Sequence, residues 1–269
     1  MQAIVLAAAH DLPDLPLMAA LVAGASVAGW IDAVVGGGGL VLIPILLITL
    51  PGLAPVKALG TNKVAALWGT ATAAFIYIRR NGVDWRLGGV AIPLAALGAS
   101  CGALLASAVN SDLLRPVVIV LMIGVGIFIV RAPEFGSGDT AGVGPGTVRT
   151  AMAIALFPVI GLYDGLFGPG TGMFLIMSLA AILARDFLSS ATLAKVVNTA
   201  TNIGALIVFS LQGNVLWALG LVLAVANIFG SIVGSRMVLN NGTKFIRYAL
   251  LAIVVVMGTK LSIDQYLSL

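Results

Sequence analysis

Apolar residues in this chain run on in blocks instead of alternating or recurring on one face of a helix. Blocks at 64–78, 87–109, 117–130, 196–211, 215–234 and 248–257 are almost free of charge. A helix rises about 1.5 Å per residue, so roughly 20 residues cross a hydrocarbon core of about 30 Å. With their flanks these blocks reach that length. The pattern predicts an all-α, polytopic helical membrane protein. Two further stretches, 17–50 and 148–183, would measure about 50 Å as single helices, too long for one crossing. Each carries glycines in its middle: Gly36-Gly37-Gly38-Gly39, and Gly168-Pro169-Gly170-Thr171-Gly172. Glycine and proline interrupt helices, so each stretch is expected to be a glycine-broken helix or a hairpin bent inside the membrane.

The pattern is written twice. At an offset of 132 residues, without a gap, Asp32 pairs with Asp164, Lys63 with Lys195, Trp85 with Trp217 and Arg115 with Arg247. Matches between rare residue types carry weight in a chain this apolar. They predict two homologous repeats at 17–130 and 150–262, each a broken helix or hairpin plus three transmembrane helices. A cytoplasmic linker at 131–149 joins them, and short segments at 1–16 and 263–269 close the ends. Glycines and small polar residues make the linker read as flexible.

Composition agrees. Hydrophobic residues make up 60% of the 269 and charged residues 9%, against about 25% charged in soluble domains. The surplus of +4 suits cytoplasmic loops better than nucleic-acid binding. The lone Cys101 allows no internal disulfide and reads as small packing filler. The lone His10 reads as solvated or interfacial. Residues 1–9 hold no basic group and do not resemble a cleaved signal. Trp85 and Trp217 stand at span edges, where the indole suits the interface. No catalytic residue, metal site or cofactor site is expected, and an enzyme is disfavoured.

Charge counting tests orientation. If each anomalous stretch goes in and returns, the repeats are inverted. Arg79, Arg80, Arg86, Arg131, Arg149, Arg185, Arg236, Lys244 and Arg247 then share one side, and Lys57, Arg115 and Lys260 the other. Nine against three obeys the positive-inside rule, whereas single crossings give an even split. Inverted repeats with both termini outside are therefore expected.

Inverted repeats with broken helices are how transporters build midplane sites. A helix opened in hydrocarbon frees backbone N–H groups at the new N-terminus, and an anion suits them. Gly38, Gly39, Gly170, Thr171 and Gly172 are the candidate cradle; the alternative is that they only let helices approach. Lys63 and Lys195 lie well inside spans, where a charge costs at least about 2.5–3.5 kcal/mol. One reading has both attract the anion near the pseudo-two-fold axis. The other has each neutralised within its own half, Asp32 with Lys63 and Asp164 with Lys195. The two are compatible if an Asp–Lys pair opens when substrate or a proton arrives, which makes Asp32 and Asp164 candidates for coupling. Asn62, Asn198 and Asn202 add hydrogen-bonding capacity, the last two sharing a helix face with Lys195.

Three segments, 29–44 (GWIDAVVGGGGLVLIP), 58–66 (ALGTNKVAA) and 161–173 (GLYDGLFGPGTGM), resemble the TauE/SafE sulfite exporter family. The likeness covers nearly the whole chain, including the duplication and the long central loop. It implies a plasma-membrane carrier for sulfite, organosulfonates or related small anions, with the family's glycine motifs on 36–39 and 168–172 and its Asn-Lys motif on Asn62-Lys63. The second half departs from it, since Ala194 stands where an Asn is expected, although Asn198 lies close by. Together these readings predict a secondary transporter that exports a small anion, sulfite or a sulfonate, by alternating access around a midplane site. Its partners would be that anion, the lipid bilayer and protons as coupling ion. The alternatives are a passive anion channel and an uptake carrier for a related anion.

Overall fold

The computed structural model describes residues 13–131 and 146–240, and every regular element among them is an α-helix. In chain order these are α1 (Leu15–Val35), α2 (Gly39–Thr49), α3 (Pro55–Asn81), α4 (Trp85–Ala108), α5 (Ser111–Arg131), α6 (Thr147–Leu166), α7 (Thr171–Leu183), α8 (Phe187–Leu211) and α9 (Trp217–Asn240). Five of them, α1, α4, α6, α8 and α9, are long and apolar enough to cross a membrane. His10, Lys244, Arg247, Lys260, the apolar block at 248–257 and most of the linker lie outside the described residues.

Both anomalous stretches are hairpins. α1 ends at Gly36, whose φ of +90° is left-handed, and α6 ends just before Gly168, whose φ is +88°. These two glycines are equivalents at the 132 offset, and a side chain in that conformation is strained. After the first break α2 folds back along α1: a Cβ at Gly24 would lie 2.5 Å from Ile45 Cδ1, and one at Gly38 would lie 2.7 Å from the Ala28 carbonyl oxygen. After the second, the Tyr163 hydroxyl on α6 donates to the Pro169 carbonyl at 2.7 Å, and its ring meets Phe174 of α7 edge-on at 5.3 Å.

The halves interlock through equivalent contacts. α4 runs parallel to α6, with Gly98 on Pro158 and Gly102 on Leu162; α9 runs parallel to α1, with Gly230 on Ser26 and Gly234 on Trp30. Each contact repeats its mate at the 132 offset. The glycines bring backbones close enough that dispersion and small-residue packing can hold the helices without a hydrophobic drive. Between these layers α3 and α8, themselves equivalents, cross antiparallel: Asn81 reaches Ser189 and Thr192, Thr70 meets Asn202, and Thr61 meets the backbone of Leu216 just beyond the end of α8.

These contacts sort the basic residues. The C-terminal end of α3 with Arg79 and Arg80, the start of α4 with Arg86, and Arg185 lie together, tied by the Arg185–Asp84 ion pair and the Asn81–Ser189 bond. Parallel packing brings Arg149 of α6 and Arg236 of α9 to that end as well. At the other end Arg115 donates to the carbonyls of Pro51 and Leu53, near Lys57. Trp85 and Trp217 open α4 and α9 and are exposed. Cys101 is also exposed on α4, so it does not fill the interior as expected; the small residues facing α6 from this helix are alanines and glycines instead.

Candidate functional site

The two helix breaks meet at the centre. The Met173 amide near the start of α7 donates to the Gly36 carbonyl at 3.1 Å, and a Cβ on Gly172 would lie 2.7 Å from Gly36 Cα. Gly172 therefore serves a backbone-to-backbone contact, the packing alternative given above. The other cradle candidates sit around it. Gly38 lies over Asp32, since a Cβ there would be 2.8 Å from that of Asp32. Gly39 faces Pro169 and the Asn62 amide at 3.6 and 3.7 Å from its Cβ position, and Gly170 backs onto Val125 of α5. Thr171 turns its hydroxyl back to the Gly168 carbonyl at 2.9 Å.

The lysines are paired, but not within their own halves. Lys63 Nζ lies 2.6 Å from Asp164 Oδ2, and Lys195 Nζ lies 3.0 Å from Asp32 Oδ2 while also donating to the Asp32 backbone carbonyl. The expected same-half pairs, Asp32 with Lys63 and Asp164 with Lys195, are thus replaced by exchanged ones. The cause is the crossing of α3 and α8. Antiparallel helices that cross at Thr70 and Asn202 send Lys63 and Lys195, each about two turns earlier in its helix, to opposite sides of the crossing. Each ammonium there finds the carboxylate of the opposite hairpin. Each lysine accordingly sits against the helix break of the other half.

All four charged side chains are buried, and Lys195 is 0% exposed. Isolated charges at such positions would be very costly, and pairing lowers the cost only where geometry and extra hydrogen bonds are good. Asp32 gains one from Thr70 at 3.2 Å, and Thr70 in turn accepts from Asn202 at 3.4 Å. A chain Lys195–Asp32–Thr70–Asn202 so links a charge pair to the axis. Asn198 accepts from the Thr201 hydroxyl at 3.1 Å on its own helix, and Asn62 is buried beside Gly39.

The ion pair at the basic end went unread in the sequence. Arg185 grips Asp84, the N-cap of α4, and this hydrogen bond holds the Asp84 carboxyl below the usual carboxylate range, helped by the amides of Leu87 and Arg86 and opposed by partial burial. The pair is separated by 101 residues, and neither residue has a charged equivalent, so the repeat gave no signal.

The chain matches the model of the family described as sulfite exporter TauE/SafE over residues 21–261. It is 35% identical over 249 residues to a probable membrane transporter protein, ORF9, of Sinorhizobium sp, covering 92% of this chain and 93% of that one. It is 35% identical over 242 residues to the probable membrane transporter protein YfcA of Escherichia coli K12, covering 90% and 88%. A probable membrane transporter protein of Haemophilus influenzae is 32% identical over 256 residues, covering 93% and 96%. No solved structure matches. With helices built for lipid, a full-length family match and relatives named as transporters, the chain is a multi-pass membrane transporter that belongs to the TauE/SafE sulfite exporter family.

Proposed function

We propose that the protein is a secondary transporter that exports a small sulfur oxyanion, sulfite or an organosulfonate, together with a proton. The observation that carries this reading is the exchanged pair of buried ion pairs, Lys63–Asp164 and Lys195–Asp32. In the arrangement described, each ammonium is neutralised by a carboxylate, which to a lysine is a stand-in for a sulfite or sulfonate oxygen. Protonating the Asp removes that partner. An uncompensated buried charge costs about 3–5 kcal/mol, so the freed lysine favours an anion in the carboxylate's place. Proton and monoanion then enter together and add no net charge. The acid's own outward gradient suffices to drive the step.

The arrangement supports alternating access as well. Equivalent helices run antiparallel, and the basic ends gather as the positive-inside rule asks of a cytoplasmic face. We take the repeats, 17–130 and 150–262, as inverted in the membrane, with their hairpins meeting at mid-depth. Gly38, Gly39, Gly170 and Thr171, with Asn62, Asn198 and Asn202, would line the path beside the lysines. Rocking one hairpin–α3 unit against its mate would break one exchanged ion pair while the other held.

Proteoliposomes loaded with sulfite, with and without a pH gradient, test this. The expected result is saturable efflux that accelerates when the interior is acidified and builds no membrane potential. Efflux left intact by Lys63→Ala and Lys195→Ala together would remove the site, and unit conductance in place of saturable turnover would make the protein a channel.

A further inference from the structure

The halves match at their ion pairs but not in what surrounds them. α9 lays Asn227, Ser231 and Ser235, each one turn apart, along α1 and α3. Their equivalents on α4 at the 132 offset are Ala95, Ala99 and Ala103, all 0% exposed, and the equivalent of Tyr77 on α3 is Phe209 on α8. The surroundings of Asp164 on this side are hydrocarbon. Beside Asp32 the same places hold an amide, two hydroxyls and a phenol.

The polar line can be followed from the ion pair outward. The Asn227 amide oxygen abuts Gly69, the residue before the Thr70 that donates to Asp32. Ser231 lies 3.0 Å from the Gly69 Cβ position, and its hydroxyl donates to the Gly29 carbonyl at 3.2 Å, one turn before Asp32. A turn further along α9, Ser235 stands beside the Tyr77 hydroxyl, which donates to the Ala33 carbonyl at 2.8 Å. Tyr77 is one turn from the end of α3, next to Arg79 and Arg80, and Ser235 is followed by Arg236. The line ends at the basic face.

Two of its members lack a good hydrogen bond. Asn227 Oδ1 is buried without a hydrogen bond among the described residues, and Ser235 Oγ makes none of good geometry although it faces the Tyr77 hydroxyl; the two residues are 3% and 0% exposed. An unpaired buried polar atom costs about 1–3 kcal/mol, and the other half shows that alanine fits the same packing. Rows of such atoms in protein interiors are satisfied by water.

We propose that this seam between α1, α3 and α9 is a water-filled proton path, which connects Asp32, and not Asp164, to the basic face. It rests on the transport reading for its purpose, since a proton delivered to Asp32 is what releases Lys195. The charged and titratable groups facing Asp32 are Lys195 from α8 and Tyr77 from α3; α2 and α7 contain no charged residue, α9 brings Arg236 at the seam's mouth, and Lys63 is held by Asp164. The carboxylates therefore divide the work: Asp32 exchanges its proton with the cytoplasmic side, and Asp164 holds the other ion pair while it does.

The test uses the full chain in proteoliposomes, with Cys101 replaced by Ala. Ser235→Cys should react with a small, membrane-impermeant methanethiosulfonate applied from the basic face at least tenfold faster than Ala103→Cys, its equivalent in the other half, reacts with the same reagent applied from the opposite face. In infrared difference spectra the carboxyl band assigned to Asp32 by Asp32→Asn should exchange in D2O at least tenfold more slowly in Asn227→Leu/Ser231→Ala/Ser235→Ala than in the parent, and the Asp164 band should not change. Equal labelling of Ser235→Cys and Ala103→Cys overturns the proposal even if the triple variant fails to fold, and so does unchanged exchange at Asp32. Sulfite flux, measured separately, judges the transport reading: no flux with fast exchange rejects the cargo and keeps the path.

Discussion

The Asn202 amide donates to the Thr70 hydroxyl at 3.4 Å, and each of these residues is the other's equivalent at the 132 offset. If a two-fold relates the halves, a residue can touch its own equivalent, and every contact between i and j is repeated between j and i. The exchange of Lys63–Asp164 with Lys195–Asp32 follows from that rule, as does the matching of Gly161 on Ala95 with Gly29 on Asn227.

The exchanged pairing sets a double-mutant cycle. Lys63→Met and Asp164→Leu each leave a buried charge alone, and each should cost about 3–5 kcal/mol of stability. Together they should cost clearly less than the sum, because the double variant buries no charge. Lys63→Met with Asp32→Leu, the same-half combination, shares no contact and should be additive within about 0.5 kcal/mol. Denaturant unfolding in a mild detergent reads both cycles; coupling in the second and none in the first would contradict the pairing.

The glycines at the two breaks are predicted to differ in severity. Gly168→Ala meets only backbone strain, since its Cβ position is 3.5 Å from the nearest carbonyl oxygen and 3.6 Å from Lys63 Nζ. The left-handed conformation costs a side chain about 1–2 kcal/mol. Gly36→Ala bears the same strain and also drives a methyl into the backbone of Gly172 and Met173, which separates the two hairpins. Thermal unfolding should place Gly36→Ala well below Gly168→Ala. Reversal of that order would show that the hairpins do not touch at this point.

The helices and the family motifs were legible in the sequence because each is written in rare residues or long blocks. Asp, Lys and Trp repeated at one offset are hard to produce by composition alone. Partners were less legible. Lys63 is the lysine of Asp32's own half, whereas the pairing depends on how α3 and α8 cross, and no single helix records that angle. Arg185–Asp84 was hidden for a similar reason. The contact of Gly172 with Gly36 was hidden too, because a glycine that opens a helix and one that admits another backbone look alike in sequence.

The Arg185–Asp84 contact gives a pH dependence. Its hydrogen bond lowers the folded-state pKa of Asp84, so the unfolded chain binds the proton first, near a pKa of about 3.9. The stabilisation is present above that value and is lost as pH falls through the lower, folded value. The pair is partly exposed, at 22% and 34% for the two side chains, so solvent screening limits it to about 0.2–1 kcal/mol. The stability difference between parent and Asp84→Asn should be constant at neutral pH and shrink below about pH 4. A difference that grows on acidification would reverse the sign argued here.

Orientation in the membrane is decided by two equivalent positions. Arg80 and Gln212 stand at the 132 offset, both exposed at the ends of α3 and α8. Those helices run antiparallel, with Asn81 beside Ser189 at one end and Thr61 bonded to the Leu216 amide at the other. If both cross the bilayer, the two positions must lie on opposite faces. Parallel repeats would put them on the same face. Arg80→Cys and Gln212→Cys, each in a chain with Cys101 replaced by Ala, should therefore be labelled from opposite sides by an impermeant maleimide, Arg80→Cys only from the cytoplasm and Gln212→Cys only from outside. The positive-inside rule fixes which is which, because Arg80 sits with Arg79, Arg86, Arg149, Arg185 and Arg236 at the crowded basic end. Labelling of both from one side would refute inversion and, with it, the rocking of one half against the other.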